Sequence, residues 1–338
     1  MNFKIKEINN FTMTSWDSLV AELDGPLQNC TYNNLNFYSS FEKIKNISIA
    51  LYHENKLTAI FPMAVNLNYK KIKLSFGNNL IFSPVFFDKI TPSFRKRIYN
   101  HFFNFLKKKF NLKKLKIDIL VSSVYFKNNK ATLSSKNQFE LMRFSKNYIV
   151  HNTLIIDLEK DENELLSNMS KYHRRNIIRA SKIKNLKLVI LDNKDRNDIK
   201  KKFTEFRKYH KISAGRVTRP LKTWKIMLKK ILDNEADLFS LKLDNKIISY
   251  LYCSKLYNFA WGWSQVNLKE YEYLSPRHIL EWNAMKYYKN NQFQFYEIGE
   301  LFFEQKNFKP TLKEKTISEF KEKFGSDMYP KVIYNIEV

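Results

Sequence analysis

The stretch from Phe259 to Gly325 constrains the fold most, because strand and helix patterns succeed one another across it. Phe259-Ala260-Trp261-Gly262-Trp263-Ser264-Gln265-Val266 reads as a strand rich in aromatics. Ser275-Pro276-Arg277-His278 opens a helix that continues through Glu281-Trp282-Asn283-Ala284-Met285 to Tyr288. A second strand runs from Phe293 to Ile298 and ends at Gly299-Glu300. Ile317-Ser318-Glu319-Phe320-Lys321-Glu322-Lys323-Phe324-Gly325 closes the series as a helix. Strands alternating with helices in this way predict a layered α/β architecture.

With 338 residues the chain has room for two domains of the usual size, about 100–200 residues each. Six glycines and eight prolines are too few for a linker-rich or low-complexity chain. Basic residues outnumber acidic ones by 59 to 33, a formal net charge of +26. Such an excess attracts a polyanion: tRNA, a nucleotide diphosphate or an anionic membrane surface. The plainer reading is compositional: lysine is abundant beside Asn, Ile, Phe and Tyr, as AT-rich codons give, and much of it is then solvated surface. Cys30 and Cys253 offer neither a metal-ligand spacing nor a disulfide framework, so no metal is expected. The N-terminal segment lacks an apolar leader, and no apolar run reaches the roughly 18–20 residues of a membrane span. These features predict a soluble, cytoplasmic chain whose basic face can rest against the inner face of the membrane.

The chain in order gives sheet and helix in both halves. A helix is expected around Ser15 to Leu23, capped by Thr14 or Ser15. A hairpin follows, from Ile47 through the turn Glu54-Asn55-Lys56 to Val65, with Pro62 marking an edge or a bulge. Strand material is expected between Ile72 and Phe82. Thr91-Pro92 opens a helix to about Phe110, Leu115 to Leu120 is a strand, and Asn128 to Asn137 is a loop. The second half starts near Tyr148 with a strand to Leu158. One long helix is expected from Asp161 to Lys184, then a strand Leu186 to Leu191. Helices Asp195 to His210 and Leu221 to Leu232 come next, and a hairpin turns at Asp244-Asn245 before the Phe259 strand. The division falls at residues 147/148.

Four segments together carry a resemblance. The first is Leu166-Ser167-Asn168-Met169-Ser170-Lys171-Tyr172-His173-Arg174-Arg175-Asn176-Ile177-Ile178-Arg179-Ala180-Ser181-Lys182. The second is Phe206-Arg207-Lys208-Tyr209-His210, followed by Gly215-Arg216. The third ends Tyr296-Glu297-Ile298-Gly299-Glu300, and the fourth is Phe320-Lys321-Glu322-Lys323-Phe324-Gly325. Their order and spacing resemble the Fem family of peptidoglycan aminoacyltransferases and related N-acyltransferases of the GNAT superfamily. The resemblance covers roughly the last three-fifths of the chain. It implies two GNAT-like subdomains, residues 1–147 and 148–338, with mixed, mainly antiparallel sheets flanked by helices and the active site in the second. It also implies transfer of an acyl or aminoacyl group to an amine on a nucleotide- or lipid-linked sugar or peptide precursor of the cell envelope. The donor is then acyl-CoA or aminoacyl-tRNA, a co-substrate rather than a bound cofactor. Two departures matter. The coiled-coil arm carried by many aminoacyl-tRNA users has no room between Asp192 and Leu232, which favours the thioester. The Gly-rich pyrophosphate loop of acetyl-CoA users is also missing after Val266.

Such a reaction needs a held amine, a proton acceptor and donors for the oxyanion, without a covalent intermediate. Glu297 and Glu300, at the end of a strand, are the candidate proton acceptors. Lys321, where the family places a functional lysine, is the candidate for a substrate diphosphate or transition-state charge. Ser275 as a helix cap, with Arg277 beside it, offers a phosphate site. Arg216 is a candidate clamp for an anionic acceptor, and Arg174 and Arg175 for phosphate or RNA. Trp261 and Trp263 share one face of a strand and can wall an acceptor pocket, with Tyr273 as a further donor. Each has a bland counterpart: a capped helix, core indoles, solvated charge. Two rivals remain at this level, a non-catalytic basic RNA-binding protein and a degenerate Fem-like scaffold.

Overall fold

The computed structural model describes residues 3–41, 44–66, 73–76, 80–87, 89–133, 140–191 and 196–338. Two compact units divide the chain: Met1–His151 with Pro330–Val338, and Asn152–Tyr329. The last nine residues rejoin the first unit. The reason is β pairing, in which Val332, Tyr334 and Ile336 bury one face against the strand Lys116–Val121.

The first unit contains β1 (Phe3–Glu7), α1 (Met13–Ala21), α2 (Tyr32–Tyr38), β2 (Ile44–Asn46), β3 (Ile49–His53), β4 (Lys56–Phe61), β5 (Ala64–Asn66), β6 (Lys73–Leu74), β7 (Ile81–Phe82), β8 (Val85–Phe86), α3 (Pro92–Lys109), β9 (Lys116–Val121), β10 (Val124–Lys127) and β11 (Lys130–Leu133). The cap of α1 is Thr12, ahead of both expected caps, Thr14 and Ser15. Glu54 and Asn55 turn the first hairpin at positive φ, and Pro62 separates β4 from β5. Thr91 and Pro92 start α3 as expected. Asn128-Asn129 is a tight turn rather than part of a long loop. The expected Ile72 to Phe82 strand falls partly outside the described residues.

β12 (Ser145–Asp157) leads into the second unit. There follow α4 (Glu162–Asn168), α5 (Lys171–Ser181), β13 (Leu186–Ile190), α6 (Arg196–Ala214), α7 (Leu221–Leu232), β14 (Ala236–Leu243), β15 (Lys246–Leu256), β16 (Phe259–Asn267), α8 (Pro276–Asn290), β17 (Phe295–Leu301) and α9 (Leu312–Glu322); β18 (Asp327–Glu337) returns to the first unit. The expected single helix from Asp161 to Lys184 is two. Met169 is extended and buried, and Ser170 caps a fresh start by accepting from the His173 N–H.

The sheet of the second unit has the order β13-β14-β15-β16-β17-β12. All neighbours are antiparallel except β16 and β17. α5 and α8 cover one face, and α9 lies along β17. α8 buries Leu280, Met285 and Tyr288 completely there. Each large apolar side chain so buried stabilises by about 1.5–3 kcal/mol relative to exposure. The other face carries α6 and α7: Phe206 packs on Tyr250 and Tyr252, and the Tyr252 hydroxyl donates to the Met227 carbonyl at 3.1 Å.

Candidate active site

The parallel ladder between β16 and β17 is short. It joins Phe259 to Phe295, Ala260 to Tyr296 and Trp261 to Glu297, and then stops although both strands run on. Each strand carries a bulge just past that point. On β16 the pairing with β15 jumps from Cys253↔Gly262 to Tyr252↔Ser264, leaving Trp263 extra. On β17 the pairing with β12 jumps from Ile155↔Glu297 to Leu154↔Gly299, leaving Ile298 extra. Bulges bend a strand and strengthen its twist, so the two strands part and leave an opening between their C-terminal halves.

Two glycines line one side. An added Cβ on Gly262 would lie 2.7 Å from the Tyr296 hydroxyl and 3.6 Å from Glu281 Oε2. An added Cβ on Gly299 would lie 2.6 Å from Lys321 Cδ, and its φ of +150° also excludes other residues. Lys321 therefore lies directly over the Gly299 backbone. α9 is held in that position by the buried Ser318, whose hydroxyl donates to the Glu300 carbonyl at 2.9 Å and accepts from the Phe302 N–H at 3.2 Å. Lys321 is half-buried, and among the described residues its ammonium makes no hydrogen bond or close ion pair. Burial holds its amine below the ordinary lysine range; the charges of Glu281, Glu300 and Glu297 oppose that, and Arg277 adds to it.

Glu281 is buried on α8 and accepts from the Tyr296 hydroxyl at 2.6 Å. Burial pushes its carboxyl up, while the Tyr296 bond and the charges of Lys321 and Arg277 pull it down. Cys253 Sγ is 3.6 Å from the same hydroxyl. Arg277 stacks on Phe320 at 5.1 Å, which sets its guanidinium beside α9.

The opposite side of the opening is aromatic and acidic. Trp261 pairs with Glu297, and Glu297 and Glu300 lie opposite Ile155 and Thr153, so these residues share the α6/α7 face. Plain alternation would put Glu297 and Glu300 on opposite faces; the bulge at Ile298 puts them together. Trp263 stacks on Tyr252 at 6.0 Å and covers the Lys230 ammonium at 4.7 Å. Lys230 is 1% exposed and donates to Ser254 Oγ at 2.6 Å. Its burial, partly offset by Glu235, pushes the amine down to about 8.

The structure thus gathers Glu297, Glu300, Lys321, Arg277, Trp261 and Trp263 around one opening. It places the other sequence candidates differently. Ser275 occupies the N-cap position of α8 in a left-handed conformation, but its hydroxyl makes no capping bond and instead accepts from Arg179 at 3.2 Å. Arg179 also holds the Tyr273 carbonyl at 3.2 Å, while the Tyr273 ring is exposed. Arg174 donates to the Ser167 and Met169 carbonyls at the end of α4, a helix-terminus role. Arg175 and Arg216 are exposed, Arg216 in the turn after α6. Three residues further on, Arg219 stacks on Trp224 at 4.9 Å and is the half-buried arginine of that turn. Glu281, Tyr296, Lys230 and Arg219 are not predicted from sequence. Among the described residues no group of three or more His, Cys, Asp or Glu could hold a metal, and no helix is long and apolar enough to cross a membrane.

No protein-family model matches the chain, and no curated protein matches its sequence. Solved structures do match in fold. FemX superimposes with a TM-score of 0.68 at 13% identity, over 99% of this chain and 98% of FemX. The C-terminal domain of a protein named as a lysylphosphatidylglycerol synthetase in Agrobacterium fabrum gives 0.60 at 11% identity, over 96% and 91%. A tandem GNAT protein from the clavulanic acid pathway gives 0.52 at 9% identity, over 100% and 98%. The fold is therefore the Fem-like one, built from two GNAT-like units.

Proposed function

We propose that this chain is a transferase that moves an acyl or aminoacyl group to an amine, with the reaction at the opening between β16 and β17. The observation that carries the reading is the convergence there of two carboxylates, a half-buried lysine and parted strand edges. Past Trp261 and Glu297 the two strands no longer pair with each other, and the space between their edges suits an acyl donor and its oxyanion. Glu297 or Glu300, directly or through one water, takes the proton from the attacking amine. Lys321, lying over Gly299, stabilises charge on a phosphate or on the tetrahedral intermediate. Trp261 and Trp263 wall the acceptor side. Arg277 beside α9 adds positive charge where a donor phosphate enters.

The donor is acyl-CoA in preference to aminoacyl-tRNA. The acceptor is an amine on a nucleotide- or lipid-linked sugar or peptide precursor of the cell envelope, which a basic surface at the inner face of the membrane would recruit. The fold neighbours FemX and the lysylphosphatidylglycerol synthetase domain support an envelope or lipid acceptor by analogy of fold. Native mass spectrometry and thermal shift with two panels test this: acyl-CoAs with free CoA, and charged with uncharged tRNA. Stabilisation by a CoA compound, weakened in Arg277→Ala and Lys321→Ala, is the expected result. Preference for charged tRNA moves the donor to the aminoacyl branch. Binding of generic RNA with turnover of neither donor overturns the proposal.

A further inference from the structure

We infer that the first unit contains the same kind of strand opening, closed by its own backbone at Asp24-Gly25, so that each chain has one donor site, in the second unit. The inference rests on the β16–β17 opening being the donor site. In the first unit, β7 runs parallel to β9, with Ile81 paired to Ile119 and Phe82 to Leu120. The Ser83 N–H still reaches the Leu120 carbonyl at 2.9 Å. After Pro84 the chain leaves β9, and Val85-Phe86 pairs with β4 instead. The chain of β9 continues through Ser122-Ser123 into β10. The two strands part here as β16 and β17 do.

What differs is the content of the gap. Asp24-Gly25 lies between the parted chains as a two-residue strand. On one side the Asp24 N–H donates to the Phe86 carbonyl at 3.1 Å, and the Phe86 N–H donates to the Asp24 carbonyl at 3.4 Å. On the other the Gly25 N–H donates to the Phe126 carbonyl at 3.0 Å, and the Phe126 N–H returns to Gly25 at 2.8 Å. The backbone groups that a ligand would use are thus already bonded. Gly25 has φ +148°, and a Cβ there would come 2.8 Å from Val85 Cγ1, so only glycine fits this close. Leu23 and Leu27, 2% and 1% exposed, anchor the segment on both sides. The cavity left beside it measures about 30 Å³ and is lined by the Arg95–Glu140 ion pair and Tyr99. That volume suits a single water molecule and not an acyl chain.

Two measurements on the wild-type full-length chain test the inference. Residue-resolved amide exchange reads the closure without any donor. The Asp24, Gly25, Phe86 and Phe126 amides should exchange at least about 100-fold more slowly than exposed loop amides. Native mass spectrometry with saturating CoA, acyl-CoA and charged tRNA reads the stoichiometry, and one donor per chain is expected. Loop-like exchange at those four amides overturns the closure, and two donors per chain overturn the single site. Slow exchange with no donor bound upholds the closure while removing the proposed function of the second unit.

Discussion

Replacing Lys230 by Met tests the electrostatics of the aromatic side of the opening. The Lys230 ammonium is buried under Trp263 with Ser254 as its hydrogen-bond acceptor. Its folded pKa of about 8 lies below the 10.5 of a free lysine. At about 1.4 kcal/mol per unit, holding the charge inside costs roughly 3 kcal/mol. The sign follows from proton binding. Between about pH 8 and 10.5 the unfolded chain keeps a proton that the folded chain releases, so wild-type stability gains from this group as pH rises. The cost is fully present below pH 8 and gone above 10.5. Met has similar volume and no charge, so Lys230→Met removes the cost at pH 7. It also leaves Ser254 without its donor and removes the cation–π contact, together about 1–3 kcal/mol the other way. The absolute change at pH 7 is therefore small, near 1 kcal/mol of stabilisation. The pH dependence is large: the variant's advantage should fall by about 2–3 kcal/mol between pH 7 and pH 10. Urea unfolding of both proteins at pH 7, 8, 9 and 10, followed by tryptophan fluorescence, measures this. Stability curves that stay parallel across that range would refute the reasoning.

Other substitutions probe the rest of the site. Lys321→Met should lower transferase turnover by about 10²–10³-fold with little change in melting temperature, measured in single-turnover assays. Gly299→Ala should cost about 10²-fold, because its methyl displaces Lys321 and misplaces the amine by about 1 Å; an activity equal to wild type would contradict the packing described. Tyr296→Phe leaves the buried Glu281 carboxyl without its donor and should destabilise by about 1–3 kcal/mol in denaturant titrations. His278 is 7% exposed, and burial, then the charges of His173, Arg277 and Arg179, push its pKa down to about 4. The unfolded chain binds that proton first, so stability should fall as pH drops from about 6.5 towards 4. The drop should be shallower in His278→Phe, as thermal melts across that range would show.

Much of this fold is written in local pattern. Thr91-Pro92 starts α3, Pro220 precedes α7, and Asp244 turns the β14–β15 hairpin where expected. Met169-Ser170 was less legible, because apolar residues on both sides keep helical spacing and hide a break that the Ser170 cap makes. The return of β18 to the first unit is a long-range pairing, which no local signal encodes. For the site, Glu297, Glu300, Lys321 and the tryptophans are visible as residues at strand ends and in a motif. Glu281, Tyr296 and Lys230 are hidden because they sit at core positions of α8, β17 and α7, where polar residues pass as exceptions. One signal was available: among only six glycines, Gly262 and Gly299 interrupt the two strands that part, and a glycine inside a strand marks a close approach.

The paired bulges at Trp263 and Ile298 give the opening an unusual kind of durability. Apart from the two glycines that line it, its width depends on a count of residues along two strands rather than on the identity of a side chain. Point substitutions can alter what reaches into the gap, but they leave the count intact. Deleting one residue at either position would remove the bulge and its bend and let the strands zip onward, while every later side chain of that strand kept its present partner and face. The architecture of the gap is therefore insulated from ordinary sequence drift, while the chemistry lining it stays open to change.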